Sequence, residues 1–363
     1  MTNRADGSNY APEGRPQPVC KPGDFRIAAV GLDHGHIFGM CRGLVEAGAE
    51  LTWVYDPDPD KMKSILDAFP GSRPALSEEQ VLNDPSVQLI ASSRIPADRA
   101  AFGMRVMQHD KDYFVDKAPL TTLEQLDQVR KTVVQTGRKY AVYYSERLHV
   151  ESAVYAGRLV QAGEIGKVVQ VMGMGPHRLN PRSRPEWFFH RELYGGILCD
   201  IGSHQLEQFL YYTGAEDATI TASRVDNFAH PEYPDFEDFG DVNVIGGNGA
   251  SGYFRVDWFT PDGLGTWGDG RMFILGTDGY IEMRKYTDVA REDVGDHVYL
   301  VNHSGEYHIP VHGRVGYPFF GELILDCLNR TEYAMTQEHA LKAAELAVRA
   351  QNLAVKGKEA AQA

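Results

Sequence analysis

An aspartate and a histidine four residues apart carry the clearest acid–base chemistry in this sequence. Asp200 and His204 lie in the run GGILCDIGSHQLEQFL, residues 195–210. In a helix, residues four apart share one face, so the carboxylate can orient the imidazole and stabilise its charged form. Histidine titrates near neutral pH and is the natural acceptor of a hydroxyl proton. A helix-capping aspartate followed by a core histidine accounts for the same pattern.

A lysine follows a short apolar run in the first half of the chain. Asp116-Lys117-Ala118-Pro119 comes directly after YFV at 113–115. If this run is a parallel strand, the four residues lie at its carboxyl end, where ligands bind in such sheets. Lys117 is therefore a candidate functional residue, although a solvated surface lysine fits the same position.

The stretch FRIAAVGLDHGH, residues 25–36, reads as an apolar strand that ends in a turn and opens a helix. Dinucleotide-binding folds hold a pyrophosphate at such a turn, through free N–H groups and the helix N-terminus. The usual G-x-G-x-x-G is incomplete, because its second and third glycine positions hold other residues. The candidate cofactor-binding residues of the turn are Gly31, Leu32, Asp33, His34, Gly35 and His36.

Two aspartates bear on the choice of cofactor. The Asp33 carboxylate could repel a pyrophosphate or cap the following helix. Asp56 ends the second apolar run, where an acidic residue bonds the ribose hydroxyls of NAD and disfavours the extra phosphate of NADP. A simple turn before Pro57 is the alternative for Asp56. The sequence predicts NAD rather than NADP, and it predicts no metal site, because the two nearby histidines are two residues apart and do not share a helical face.

Secondary structure in the first half must bring these residues together. Short apolar runs alternate with helical patterns from Phe25 to about Tyr144, which indicates a doubly wound parallel sheet. The runs lie at 27–30, 51–55, 89–91, 113–115 and 141–144, and the helical patterns at 37–47, 60–69, 97–109 and 123–135.

Strands follow one another without intervening helices in the second half, which indicates a largely antiparallel sheet in a separate α+β domain. The strand candidates lie at 218–225, 240–246, 251–259, 271–275, 280–283 and 297–301, and the tail from 318 to 355 reads as helical. The predicted fold class is α/β. The predicted division is a flexible segment at 1–24, a Rossmann domain at 25–145, an α+β domain at 146–355 and a tail at 356–363.

Composition narrows the class of partner. The 363-residue chain has 36 basic and 50 acidic side chains and a formal charge of −14, which argues against nucleic acid or an anionic membrane as a partner. Its four cysteines form no C-x-x-C pair and suit a reducing compartment. No apolar run approaches the ~20 residues that span a bilayer, and the first 24 residues lack the apolar core of a secretory signal. The sequence predicts a cytoplasmic protein.

Several motifs together resemble the glucose–fructose oxidoreductase/inositol dehydrogenase/MocA (Gfo/Idh/MocA) family of two-domain NAD(P)-dependent oxidoreductases. The family's Glu-Lys-Pro motif corresponds to residues 116–119, and its G-G-x-x-x-D-x-x-x-H helix start corresponds to 195–204. GEIGK at 163–167 and TQEHAL at 336–341 also resemble the family. Aspartate replaces the usual glutamate at position 116, and Ala118 separates Lys117 from the proline.

The resemblance implies an N-terminal Rossmann domain and a C-terminal domain whose large open sheet mediates a homodimer or homotetramer. It implies an active site between the domains in which Lys117, Asp200 and His204 converge on the nicotinamide, so Lys117, like Asp56, is also a candidate cofactor-binding residue. His204 would remove the proton from a substrate hydroxyl as NAD accepts the hydride. Lys117 would hydrogen-bond the same oxygen and stabilise negative charge on it, and Asp200 would position the substrate or support the charge state of the pair.

The loop at 176–194 is the candidate substrate-binding segment. Its aromatic rings could stack on sugar faces while its arginines and histidines bind hydroxyls or a carboxylate, so a sugar, polyol or sugar acid fits. A lid or interface loop accounts for the same residues. Arg147, after the last Rossmann strand, matches an Asn-x-Arg-type segment of the family. The candidate substrate residues are Arg147, His177, Arg178, Trp187 and His190.

The sequence therefore predicts an NAD-dependent oxidoreductase that acts on a secondary alcohol of a sugar, polyol or sugar acid. Two alternatives remain open. An enzyme of the same fold could retain NAD and use transient oxidation to assist glycoside cleavage or lyase chemistry. A binding or regulatory protein could have lost its cofactor site through Asp33 and His36.

Overall fold

A computed structural model describes residues 4–14 and 17–357 of the chain. Contacts divide these residues into two units. The N-terminal unit comprises Ser8–Tyr143 and Gly316–Leu341, and the C-terminal unit comprises 4–7, Tyr144–Val315 and 342–357. The domain boundaries proposed from the sequence stay a prediction, because this grouping follows contacts and joins 316–341 to the N-terminal unit.

The N-terminal unit is built on a six-stranded parallel sheet in the order β3-β2-β1-β4-β5-β6. Helices on both faces bury the central strands, so these strands are apolar along their whole length. The strand order reverses between β1 and β4, and ligands bind at such a reversal, beyond the carboxyl ends of the strands. The strands are β1 (Arg26–Val30), β2 (Glu50–Tyr55), β3 (Arg73–Pro74), β4 (Leu89–Ser92), β5 (Asp112–Asp116) and β6 (Tyr140–Tyr143).

Local sequence fixes the ends of the helices that cover this sheet. Asp58 caps one helix by accepting the Asp60 N–H at 2.9 Å. Thr122 and Gln125 form a capping box at the start of another, which ends at Gly137 with φ of 65°, a conformation that glycine adopts easily. The helices are α1 (His36–Glu46), α2 (Pro59–Ala68), α3 (Glu78–Asn83), α4 (Pro96–Gln108) and α5 (Leu123–Thr136).

The C-terminal unit is built on a nine-stranded sheet in the order β14-β13-β12-β11-β7-β10-β9-β8-β15. Neighbours are antiparallel except β7 with β10 and β8 with β15. The predicted parallel sheet followed by a large, mainly antiparallel sheet is thus confirmed. The strands are β7 (Val168–Pro176), β8 (Ala218–Asp226), β9 (Phe239–Gly246), β10 (Ser251–Asp257), β11 (Arg271–Gly276), β12 (Gly279–Arg284), β13 (His297–Asn302), β14 (Gly305–Pro310) and β15 (Val355–Lys356).

Helices cover one face of the nine-stranded sheet, where α7 packs on β12 and β13 and α10 packs on β7, β9 and β10. The helices from the end of β6 onward are α6 (Ser145–Leu148), α7 (Glu151–Gln161), α8 (Arg191–Tyr194), α9 (Ile197–Asp200), α10 (Gly202–Thr213), α11 (Pro318–Asn329) and α12 (Gln337–Leu353). Within residues 4–14 and 17–357, no helix combines the length and apolar character that a membrane crossing requires.

The elements that sequence patterns missed are short or exposed. β3 and β15 have two residues each, all exposed, and β14 is mostly exposed at the sheet edge, so none shows a buried alternation. The helical tail predicted over 318–355 is two helices, because Arg330 adopts φ of 57° at the end of α11. The chain then turns before α12 begins.

Candidate active site

Asp116, the last residue of β5, is the centre of a buried charge cluster in the N-terminal unit. Its Oδ1 lies 2.9 Å from His36 Nδ1, and its Oδ2 lies 3.2 Å from both His34 Nδ1 and Arg99 Nη2. Burial raises the pKa of Asp116, but His36, Arg99 and the hydrogen bonds from the two histidines outweigh burial and hold that pKa well below its usual range. Asp116 is therefore a fixed negative charge at the carboxyl end of its strand.

The two histidines of the glycine-poor turn bind this carboxylate. Burial and the neighbouring His36 lower the pKa of His34 to about 3, so His34 is neutral at pH 7. One ring nitrogen of each histidine and an Asp116 oxygen lie within 4.8 Å of one another, close enough to hold a metal ion. Arg99 already supplies the positive charge on Asp116 at 3.2 Å, so we assign no metal here.

Arg99, on α4, also holds the turn that carries Lys117. Its Nη1 donates to the carbonyl oxygens of Asp116 and Ala118 at 3.1 Å each, and to that of Lys117. The Lys117–Ala118 peptide bond is cis. Lys117 is 5% exposed, so its position depends on a buried guanidinium that the sequence motif does not contain.

The turn after β1 is tied to the neighbouring strands. Gly31 has φ of 74°, and a Cβ added there would lie 2.2 Å from Cγ of Arg94. The Gly31 carbonyl accepts the Ser93 N–H at 3.0 Å, and the Leu32 N–H donates to Asp56 Oδ2 at 2.7 Å. Glycine is therefore required at position 31 by the left-handed backbone and by the arginine that lies over it.

The two aspartates near this turn bind groups of the protein. Asp33 accepts from Lys61 Nζ at 2.6 Å and from the Ile95 N–H at 3.3 Å. It does not cap α1, which begins without a side-chain cap, so the capping alternative is wrong. Asp56 is 2% exposed, accepts the Asp58 N–H at 2.9 Å and lies 4.0 Å from Lys61. Lys61 thus offsets the negative charge of both aspartates.

The N-terminus of α1 is the candidate position for the pyrophosphate of a dinucleotide. It has no acidic residue in its first turn, and the N-terminus of a helix favours an anion. Its first N–H groups already have partners, because His36 N–H donates to His34 Nδ1 at 3.3 Å and Ile37 N–H donates to the His34 carbonyl oxygen at 3.3 Å. The segment before β1 lies close by, since a Cβ added at Gly35 would lie 2.0 Å from Asn9 Oδ1 and 2.4 Å from the Ser8 carbonyl oxygen. The residues that could hold the cofactor are therefore those of the turn, with Asp56 beside them.

Asp200 and His204 both belong to the C-terminal unit. Asp200 ends α9 and His204 lies in the first turn of α10, with 7% and 2% exposure. The Tyr144 ring packs edge-on to the His204 ring at 6.3 Å. Arg184 lies near Asp200: burial lowers the pKa of Arg184, and the charges of Asp6 and Asp200 partly restore it.

A buried glutamate and lysine that received no role from the sequence lie near His204. Lys285 Nζ donates to Glu146 Oε2 and to Gln208 Oε1 at 2.8 Å each, and Gln205 Nε2 donates to the same Glu146 oxygen at 2.9 Å. Burial raises the pKa of Glu146, but Lys285 and His204, followed by His177, lower it to about 2. Glutamate next to Arg147 was visible in the sequence, but nothing there linked it to a lysine 139 residues away.

Three of the predicted substrate residues, Arg147, His177 and Arg178, bind protein groups. Arg147 Nε donates to Glu207 Oε1 at 2.7 Å, and its guanidinium lies 4.0 Å from the centre of the Tyr211 ring. Arg178 donates to the carbonyl oxygens of residues 5, 261 and 264. His177 is 8% exposed and lies between Trp258 and Trp267, with ring centres at 5.3 and 4.6 Å.

The other two predicted substrate residues lie on the outer part of the loop. Trp187 packs edge-on against Phe188 at 5.7 Å, and the His190 side chain is 46% exposed and 3.9 Å from Glu186. Sequence reasoning missed Trp258, a tryptophan buried beside His177 at the end of β10. The substrate roles of Arg147, Arg178, Trp187 and His190 stay predictions that their contacts do not support.

Comparisons with known proteins agree with this architecture. Residues 154–282 match a family model described as the GFO/IDH/MocA C-terminal domain. A crystal structure from Erwinia carotovora atroseptica, described as a "putative oxidoreductase", is 53% identical and superposes with a TM-score of 0.89 over 92% of this chain and 100% of that chain. Levoglucosan dehydrogenase in complex with NADH is 15% identical, with a TM-score of 0.74 over 90% of this chain and 97% of that one; this likeness concerns the fold alone.

Among curated proteins, scyllo-inositol 2-dehydrogenase (NAD(+)) of Bacillus subtilis (strain 168) is 25% identical over 240 residues. The match spans 64% of this chain and 66% of that protein, just under two thirds of its length. These similarities agree with the two sheets of the structure and with the Asp200–His204 motif. The chain belongs to the Gfo/Idh/MocA family of oxidoreductases.

Proposed function

We propose that this protein is an NAD-dependent dehydrogenase that transfers a hydride between a secondary alcohol of a sugar or polyol and a nicotinamide cofactor. The observation that carries the proposal is the buried pair Asp200 and His204, four residues apart at the start of α10, in a chain of this family. The name of the chain's curated relative, scyllo-inositol 2-dehydrogenase, supports the substrate class.

The proposed reaction gives each candidate catalytic residue a role. The bound nicotinamide supplies the hydride acceptor. His204 takes the hydroxyl proton as the carbon loses its hydride to the nicotinamide, so the alcohol gives up one proton and one hydride and becomes a carbonyl. Lys117 stabilises negative charge on the substrate oxygen during this step. Asp200 positions the substrate or stabilises the protonated imidazole.

An uncharged substrate fits the C-terminal unit better than a sugar acid. An anionic substrate would need a cation that is not already engaged. Four cations with buried side chains in the described part of the C-terminal unit bind carboxylate, carbonyl or amide oxygens of the protein. These cations are Arg147, Arg178, Arg184 and Lys285.

A substrate screen and a cofactor assay test the function and its two rivals together. We expect purified protein to reduce added NAD in the presence of one or more sugars or polyols. Dinucleotide released only on denaturation, with no net reduction of added NAD, would favour the enzyme that retains its cofactor. Calorimetry that detects binding of neither NAD nor NADP to cofactor-free protein would favour a binding or regulatory protein.

Asp56 is proposed to select NAD over NADP. Replacing Asp56 with serine removes the carboxylate and leaves Lys61 free of one of its two acidic neighbours, at 4.0 Å. We expect Asp56→Ser to change the ratio of NADP to NAD affinity by about tenfold in favour of NADP, or about 1.4 kcal/mol. Calorimetric titration with each cofactor measures the ratio.

Asp67→Ser is the matched control, because Asp67 is exposed on α2, the helix that carries Lys61, and forms an ion pair with Lys63 at 2.6 Å. Its cofactor ratio should equal that of the wild type. A wild-type protein that binds NADP more tightly than NAD would contradict the role given to Asp56.

The open face of the nine-stranded sheet is proposed to mediate a homodimer or homotetramer. Paired residues on neighbouring strands place one row of apolar side chains on this face: Met172 stands opposite Tyr253 and Phe273, and Leu275 stands opposite Tyr280. Met172, Tyr253, Leu275 and Tyr280 are each about 40% exposed (42%, 39%, 44% and 42%). A contiguous exposed apolar surface of this kind is typical of an interface.

Met172→Glu tests the interface by placing a charge in the middle of this row. We expect light scattering to give a smaller assembly than for the wild type, with unchanged secondary structure by circular dichroism. Val134→Glu is the control, because Val134 is 84% exposed on the N-terminal unit. An unchanged molar mass for Met172→Glu would exclude this face.

A further inference from the structure

Glu146 and Lys285 form an ion pair in the interior of the C-terminal unit. Their side chains are 2% and 1% exposed, and Lys285 Nζ lies 2.8 Å from Glu146 Oε2. Removing two charges from water costs several kcal/mol per ion, and the attraction within the pair offsets this cost only with good geometry and further hydrogen bonds. A buried ion pair of this kind often adds nothing to the net stability of a protein. Stability alone therefore does not explain why Glu146 and Lys285 are paired here.

Hydrogen bonds connect the Glu146–Lys285 pair to the helix that carries His204, the proposed base. Gln205, adjacent to His204 in the chain, donates its amide to Glu146 at 2.9 Å. Gln208 accepts from Lys285 at 2.8 Å and donates to the carbonyl oxygen of His204 at 2.9 Å. The first turns of α10 are thereby fixed to both members of the pair.

The second carboxylate oxygen of Glu146 differs from the first in its hydrogen bonding. Glu146 Oε1 is buried and receives no hydrogen bond within the described part of the chain. A buried carboxylate oxygen without a donor destabilises the folded protein, so an acceptor in this position is expected to serve a group that is charged or bound only during function.

Three elements place charged or titratable groups around Glu146. The segment after β12 contributes Lys285, α10 contributes His204, and the segment after β7 contributes His177. The two histidines both lower the pKa of Glu146. Because this electrostatic coupling is reciprocal, an ionised Glu146 stabilises the protonated form of either histidine.

We propose that Glu146, clamped by Lys285, is a positioning residue that holds His204 in place and stabilises the imidazolium formed when His204 takes the substrate proton. The proposal deepens the proposed function and rests on it for the identity of the proton donor. Lys285 keeps Glu146 ionised, so the negative charge is present throughout the working pH range. Glu146 touches neither the hydroxyl nor the cofactor in this scheme and acts only through His204.

The titration of His204 in the full-length protein tests the proposal without a substrate. Protein labelled with ¹³C at histidine Cε1 gives one signal for each of the 13 histidines, and the signal missing from His204→Asn identifies His204. We expect Glu146→Gln to move the titration midpoint of His204 to lower pH by about one unit, because it removes an opposite charge close to the ring. Glu146→Asp, which retains the charge, should move it less.

A second variant separates positioning from folding. Glu146→Gln alone leaves Lys285 buried without its partner and is expected to lower the melting temperature. In the double variant Glu146→Gln/Lys285→Met both charges are gone, so much of that stability returns, while the His204 midpoint stays low. Glu345→Gln, a buried carboxylate of α12 that pairs with Arg349 at 2.9 Å, is the control and should leave the midpoint unchanged.

With an identified sugar or polyol substrate, the acidic limb of the pH profile of kcat/KM for Glu146→Gln should move in the same direction as the midpoint. An unmoved His204 midpoint in both Glu146→Gln and the double variant would overturn the proposal and leave the pair a purely structural one. If no substrate is turned over but the midpoint moves, the dehydrogenase function fails while the coupling of Glu146 to His204 stands.

Discussion

We expect His204→Asn to lower kcat for alcohol oxidation by roughly 10²- to 10⁴-fold, the usual contribution of a positioned general base. Asparagine is similar in size to histidine but cannot take up a proton near neutral pH. His204 is 2% exposed in the first turn of α10, so solvent has little access to replace it as a base. Reduced-cofactor absorbance with the substrate found by screening measures the loss.

His190→Asn is the control for this substitution, because the His190 side chain is 46% exposed on the loop after β7. Its turnover should fall much less than that of His204→Asn. The calorimetric affinity of His204→Asn for NAD should match that of the wild type, since His204 and the cofactor turn belong to different units. Turnover of His204→Asn at the wild-type rate would show that another group is the base.

Arg99→Met is expected to lower the free energy of unfolding by about 3–5 kcal/mol, because breaking a buried ion pair leaves an uncompensated charge. Arg99 and Asp116 are each 1% exposed, with 3.2 Å between Arg99 Nη2 and Asp116 Oδ2. The substitution also removes the donor that gathers the carbonyl oxygens of Asp116, Lys117 and Ala118. Denaturant unfolding measures the change, and activity should fall with it because Lys117 loses its support.

The effect of Arg99→Met depends on pH in a defined direction. The pKa of Asp116 in the folded protein is held well below its usual range. Its charge therefore stabilises the fold above the unfolded-state pKa of about 3.9, and this contribution is lost as the pH falls through the folded-state pKa. The difference between wild type and Arg99→Met should be largest near neutral pH and should shrink in acid.

Arg105→Met provides the matched comparison on the same helix. Arg105 is 47% exposed and pairs with Glu78 and Glu79 at 2.6 and 2.9 Å, and such surface pairs contribute about 0–1 kcal/mol. Equal losses of stability for Arg99→Met and Arg105→Met would contradict the central place given to the Asp116 cluster.

Much of the fold follows from local sequence. The apolar runs of β1, β4 and β5 are buried at nearly every position, and a strand that is covered on both faces must be apolar throughout. Their alternation with helices therefore predicted a parallel sheet. β14 was missed for the opposite reason, since a mostly exposed edge strand gains nothing from an apolar pattern.

The candidate site also has one part that local sequence predicts and another part that depends on contacts between distant residues. Asp200 and His204 were selected because a spacing of four would put them on one face of a helix. In the structure Asp200 ends α9 and His204 lies in α10, and their catalytic roles stay a prediction. In the sequence His36 only replaces a glycine of the dinucleotide-binding motif, but in the structure it is hydrogen-bonded to Asp116, 80 residues away. No local rule links these positions, because their contact exists only once β1 and β5 are joined to the same sheet.

The sequence by itself determined the two sheet types and the likeness to an oxidoreductase family, and it predicted the candidate acid–base residues Asp200 and His204. Only the tertiary structure decided which charges pair with one another: Arg99 with Asp116, Lys61 with Asp33, and Lys285 with Glu146. The physical reason is that electrostatic stabilisation depends on distance and burial in three dimensions. Hydrophobic periodicity, in contrast, is a property of neighbouring residues and can be read along the chain.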